Sequence, residues 1–165
     1  MNRYMSTVIP TVLLMAVSVA SGEEIQCRIT GETLDAVVPV ATFAGGIIGN
    51  YDPGSGLPTG KRQHRPVTIT KKLDALSPLL FQAAVSNQTL TSMECSFHRV
   101  LHKRSQELYF RITLTQPRIV DLALNGDTSQ EGAPQETLQF VYYKIALEDV
   151  LSGIVTEDLW ESPVD

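Results

Sequence analysis

The sequence predicts a mainly β protein: a small β-barrel of two antiparallel sheets, with one α-helix and a long extended loop. Three observations predict it. Met93, Cys95 and Phe97 alternate with Glu94, Ser96 and His98, and Leu108, Phe110, Ile112 and Leu114 alternate with Tyr109, Arg111 and Thr113. That period of two marks strands with one face on a core. Leu79, Leu80, Ala83 and Ala84 form the one convincing set at helical spacing. Residues 50–65 are rich in Gly and Pro and longer than an ordinary connection, and such loops are usually functional or interfacial.

Taken in order, Glu24 to Thr30 reads as a strand with Ile25, Cys27 and Ile29 on one face. Leu34 to Phe43 is valine-rich and reads as a second strand, interrupted near Pro39. Ala44 to Asn50, with paired glycines before paired isoleucines, suits a bulge and a short strand. The long loop follows and ends in Gly60-Lys61-Arg62-Gln63-His64-Arg65-Pro66, which opens a strand over Pro66 to Lys71. Ser77 is placed to cap the helix, with Pro78 at its first position and Asn87 as its terminator. After the Met93 hairpin come a strand over Ile119 to Leu124 and a polar loop over Asn125 to Gln135. Thr137 to Leu147 reads as one long strand, apolar on both faces: Leu138, Phe140 and Tyr142 on one, Val141, Tyr143 and Ile145 on the other. Glu148 to Val155 reads as the last strand, before an acidic tail around Trp160.

The bulk composition bounds the function. With 165 residues, 43% hydrophobic and 19% charged, the chain suits one domain over residues 21–165 with a real core. A net charge of −5 argues against general nucleic-acid binding. Residues 1–20 read as a signal peptide: Arg3, an apolar run from Val8 to Val19, and small residues at Ser18 and Ala20 before a cut. A misassigned start, with Met5 or Met15 as alternatives, is the other reading. The run is short for a membrane span, so no stable membrane insertion is expected.

Catalytic material is sparse. His98 and His102 are four apart, but on a strand and its turn, with no third ligand nearby. Gly60-Lys61 is followed by Arg62, which rules out a phosphate-binding P-loop. There is no G-x-S-x-G and no supported Cys/His pair. His64, set among cations, suits hydrogen bonding in a loop. No catalytic, metal or cofactor-binding residue is named, and the chain is expected not to be an enzyme. Cys27 and Cys95 both face inward on their strands. In an exported chain they are a possible disulfide; in a cytoplasmic one they are small buried hydrophobes.

The ordered set Asp52-Pro53, Ser55-Gly56, Pro58, Gly60, Arg62, His64 and Pro66 resembles the Hcp family, the tube protein of bacterial type VI secretion systems. The resemblance continues through Ser77-Pro78-Leu79, Phe97, Arg99, Gln106-Glu107, Tyr109-Phe110 and Ile119-Val120-Asp121. It closes on Tyr142, Lys144-Ile145, Gly153, Asp158, Trp160 and Pro163. It implies a structural role: homo-hexameric rings that stack into a tube, with possible effector cargo and other type VI components as partners. The chain departs from the family at His98, where an aromatic is common, at Leu147, where Trp is common, at Lys103-Arg104, which lacks the usual glycine, and in its export signal. Ring contacts need two different surfaces. Lys61, Arg62, His64 and Arg65 are the expected cationic side. Glu157, Asp158 and Trp160, with Glu148, Asp149 and Glu161, are the expected acidic side, the two meeting between copies. The alternative is a stand-alone exported β-domain that binds a protein or glycan through residues 50–66.

Overall fold

A computed structural model describes residues 23–101, 105–126 and 133–160. The expected leader over 1–20, His102, Lys103, Arg104 and Glu161 lie outside the described residues. The elements are β1 (Glu24–Thr30), β2 (Asp35–Val40), β3 (Thr42–Ile48), β4 (Gln63–Lys72), α1 (Ser77–Val85), β5 (Ser92–Val100), β6 (Gln106–Thr115), β7 (Arg118–Asn125), β8 (Gln135–Val141), β9 (Lys144–Asp149) and β10 (Ile154–Leu159). Among the described residues, two antiparallel sheets and one helix match the expected fold class. The six-stranded sheet runs β10-β9-β6-β5-β1-β2 and the four-stranded sheet β3-β4-β8-β7. The ladder is not continuous from one sheet to the other, so the barrel is open, with edges at β10, β2, β3 and β7.

The core lies between the sheets. Alternate residues of β1 (Cys27, Ile29), β4 (Val67, Ile69), β5 (Met93, Cys95) and β8 (Leu138, Phe140) point inward and are almost wholly buried. Full burial of each large apolar side chain contributes about 1.5–3 kcal/mol against an exposed reference. Cys27 stands directly opposite Cys95 in the β1–β5 register, and the sulfurs are 2.04 Å apart, a disulfide closing a sequence separation of 68.

Several boundaries differ from the sequence reading, for physical reasons. The break in the second strand falls at Ala41, whose N–H donates to Thr70 O, and not at Pro39. Pro39 sits within β2, an edge strand where one side needs no ladder donor. The bulge expected among the glycines is the register shift between Ala44 and Gly46. Thr137 to Leu147 is two strands, not one. β8 belongs to the four-stranded sheet and β9 to the six-stranded sheet, with a corner at Tyr142 and Tyr143. Changing sheets turns the inward face over, which is why both faces read as apolar. The last strand likewise begins later, at Ile154, after a turn in which Asp149 Oδ1 accepts from the N–H groups of Leu151 and Ser152.

Ser77 does not cap α1. Leu76 holds that position without a side-chain bond, and the Ser77 hydroxyl instead donates to Glu136 Oε1 at 2.7 Å. Lys71 and Glu136 are buried together, with Lys71 Nζ donating to the same Oε1 at 2.6 Å. Lys71 also reaches Asp74 at 2.9 Å and donates to Lys72 O at 2.8 Å. One buried charge pair thereby ties β4, β8 and the start of the helix.

Candidate functional site

The basic stretch does not form a loop up to residue 65. β4 begins at Gln63, with His64 buried between exposed Gln63 and Arg65, and the bulge opposite Gly46 then resets the alternation so that Val67, Ile69 and Lys71 are the next buried positions. His64 is consequently a buried residue whose side chain is 1% exposed. Its Nδ1 lies 3.1 Å from Tyr142 Oη at the β8–β9 corner, and its Nε2 lies 3.1 Å from Asp158 Oδ2 on β10. Trp160 stacks against the imidazole at 5.5 Å and meets Tyr142 edge-on at 4.9 Å. Arg62 completes the cluster from outside. Its Nε donates to Asp158 Oδ2 at 2.6 Å and its Nη2 to Asp158 Oδ1.

The electrostatics fix the proton positions. The hydrogen bonds and charge of Arg62, outweighing partial desolvation and helped by His64 and the Leu159 N–H, hold the Asp158 carboxyl down to about 2. Asp158 is then an acceptor only, so His64 Nε2 carries a proton toward it. Burial, with the nearby Asp158 charge, pushes the Tyr142 hydroxyl up to about 12, so it stays protonated and available to Nδ1. The result is a latch: β4 of one sheet held to β10 of the other through a satisfied polar chain, roofed by Trp160.

The latch predicts an acid response. A carboxyl depressed in the folded state adds stability above its ordinary range near 4 and loses it as pH falls toward 2. Asp158→Ala also leaves a buried His64 N–H without its acceptor. It is expected to cost about 2 kcal/mol at pH 7, and much less at pH 2. Urea titrations at both pH values, followed by the fluorescence of the single Trp160, check this.

Four of the expected contact residues, Arg62, His64, Asp158 and Trp160, therefore meet within one chain. Glu157 also has an in-chain partner, Lys144 Nζ at 3.0 Å. Glu148 pairs with Arg111 at 2.7 Å. Lys61 and Arg65 are exposed, and among the described residues neither has an ion-pair partner. The sequence reading missed Tyr142 as the partner of His64. It was read only as part of an apolar strand face with Leu138 and Phe140.

The long loop is a built finger between β3 and β4. Tyr51 bridges to Pro58, Asp52 N donates to Leu57 O at 2.8 Å, and Thr59 N to Asn50 O at 3.0 Å. Asp52 Oδ1 accepts from the N–H groups of Gly54 and Ser55 at 2.8 and 2.7 Å, which holds that carboxyl below the usual range. Gly56, at φ +71°, supplies the left-handed residue that turns the tip. Tyr51 and Leu57 are each 65% exposed on this ordered frame. Beside its base an apolar cavity of about 320 Å³ opens between the sheets, lined by Phe43, Ile47, Val67, Ile112, Ile145 and Leu147 among others. Among the described residues no group of three His, Cys, Asp or Glu is placed to hold a metal, and no helix is long and apolar enough to cross a membrane.

Comparison with known proteins fits this geometry. Residues 12–148 match the family model described as type VI secretion system effector, Hcp. The chain is similar to the major exported protein of Pseudomonas aeruginosa, 34% identical over 148 residues that cover 87% of this chain and 80% of the relative. Among solved structures, a crystal structure of an Hcp protein superimposes with a TM-score of 0.79 at 20% identity, covering 86% of this chain and all of that one. The secreted protein Hcp3 of Pseudomonas aeruginosa gives a TM-score of 0.69 at 26% identity, again covering 86% of this chain and all of that one.

Proposed function

Because the chain belongs to the Hcp family of type VI secretion proteins, we propose that it is a ring-forming tube subunit, six copies closing a ring and rings stacking through the finger. The family is structural, so the protein is a component of a secretion apparatus and not an enzyme, and it is an exported protein as its Pseudomonas relative is named. The observation that carries the finer reading is the finger itself. It is held by its own hydrogen bonds, yet it presents Tyr51 and Leu57 to solvent, with exposed Ile47 and Ile48 at its base. An ordered apolar projection with no role in its own core supports a contact with another molecule.

Within a ring, Lys61 and Arg65 are the cations to meet the acidic β10 end of the next copy, with Glu157 at its surface. Arg62 and Asp158 hold their own latch, so Arg62→Glu disturbs the subunit as well as any contact. Lys61→Glu with Arg65→Glu is the cleaner charge test, acting on register more than on raw affinity. A lumen formed by such a ring carries effector cargo.

Tyr51→Ser with Leu57→Ser is expected to leave urea stability within about 0.5 kcal/mol and to weaken association about tenfold or more, as read by sedimentation. Unchanged association would remove the finger from the assembly. A monomer whose finger captures a protein or glycan would favour the exported binding domain instead.

A further inference from the structure

A second, larger cleft of about 490 Å³ opens beside Trp160, lined by Thr89, Gln116, Arg118, Tyr142 and Tyr143 among others. Four chain segments meet there, and backbone hydrogen bonds join them. Leu90 N donates to Pro117 O at 2.9 Å, Gln116 N to Thr91 O at 3.1 Å, Tyr143 N to Thr115 O at 3.0 Å and Trp160 N to Tyr143 O at 3.0 Å. The frame is therefore fixed before any ligand arrives. It also holds Gln116 at φ +51°, in the left-handed region that a residue with a side chain rarely adopts. Such strain persists only where the surroundings impose it, and it clusters at functional sites.

The side chains on this frame are of two kinds. Tyr143, 56% exposed, and the partly buried Trp160 offer aromatic surface, whereas the Tyr142 hydroxyl is already bonded to His64. Arg118, Gln116 and Thr89 are exposed and polar. Arg118 Nε donates to Thr89 Oγ1 at 2.7 Å, which holds the guanidinium at the cleft and leaves the Thr89 hydroxyl proton free to donate. Among the described residues, the Nη nitrogens of Arg118 and the carboxamide of Gln116 have no hydrogen-bond partner. The cleft thus presents ring faces, a donor fork for a carboxylate, and groups that both donate and accept. A small ring with polarised C–H groups on its face, hydroxyls on its rim and one carboxylate matches all three. We propose that this cleft binds an acidic sugar, a pyranose carrying a carboxylate. Arg118 takes the carboxylate, Gln116 and Thr89 take hydroxyls, and the sugar ring lies on Tyr143 and Trp160. The site is built from one chain, so it is independent of the ring reading: saccharide binding and particle mass are measured separately.

Trp160 is the single tryptophan of the chain, so its fluorescence reports on this cleft. The folded protein is titrated with sodium glucuronate, with glucose and with sodium acetate at constant ionic strength, and equilibrium dialysis measures the same binding without the fluorophore. Glucuronate is expected to saturate with a Kd of about 1 mM, the range for a ligand of its size. Glucose is expected to bind about tenfold more weakly, for want of the charge-assisted bonds, and acetate not to saturate. Arg118→Ala is expected to bring glucuronate down to the affinity of glucose, and Tyr143→Ala to weaken both sugars. Both side chains are exposed, so an unchanged urea midpoint shows that each variant is folded. No saturable binding of glucuronate by dialysis, acetate binding as tightly as glucuronate, or a folded Arg118→Ala variant that binds glucuronate like the wild type would each overturn the proposal.

Discussion

Replacing Lys71 by methionine is expected to destabilise the fold by about 3–5 kcal/mol. Lys71 and Glu136 are both fully buried, and one oxygen of Glu136 takes both Lys71 and the Ser77 hydroxyl. The other oxygen, Oε2, is buried without a hydrogen-bond partner among the described residues. Removing the ammonium therefore strands a carboxylate in the core, with desolvation uncompensated. The pair itself need not be stabilising. Lys71→Met combined with Glu136→Leu is expected to recover about half of the loss or more, as hydrophobic replacements of buried ion pairs do. Urea denaturation of the two variants separates the cost of breaking the pair from the worth of having it. A double variant no better than the single would show instead that the pair holds α1 on the sheet through Ser77 and Asp74.

The second large effect belongs to the disulfide. Cys27→Ala with Cys95→Ala removes a cross-link spanning 68 positions. Loop-closure entropy for that span is worth about 4 kcal/mol, or about 2 M in the urea midpoint. The alanines fit the space of the thiols without adding a buried polar group. The loss should match that of wild-type chain reduced in urea and refolded under reductant. A loss under 1 kcal/mol would mean that the unfolded chain is already compact around β1 and β5.

The strands with one buried face were legible from their sequence. The hairpin of β5 and β6 shows its alternation because Met93, Cys95, Ile112 and Leu114 all face one core. The helix was legible too, through Leu80 and Ala83. What the sequence hid depends on residues far apart. The role of Ser77 was misread because Glu136, its true partner, is 59 positions away. The β8–β9 corner was read as a single strand because local pattern cannot show a change of sheet. The charges of Arg62 and Asp158 were recognised as complementary, but their separation of 96 positions gave no sign that they meet within one chain. His64 was set in a loop because it lies among cations and, across the bulge, out of phase with the buried Val67, Ile69 and Lys71. The finger was legible as a special loop from its Gly and Pro content. That Asp52 orders it shows only in the fold, where its carboxylate accepts from the N–H groups of Gly54 and Ser55.

The ring reading rests on one quantity, the mass of the folded chain in solution. Light scattering across a range of concentrations, with negative-stain images of the same peak, measures it directly. A particle of six copies with a central hole is the expected result. A clean monomer at every concentration would contradict the ring and leave the fold, the latch and the disulfide standing on an exported binding domain.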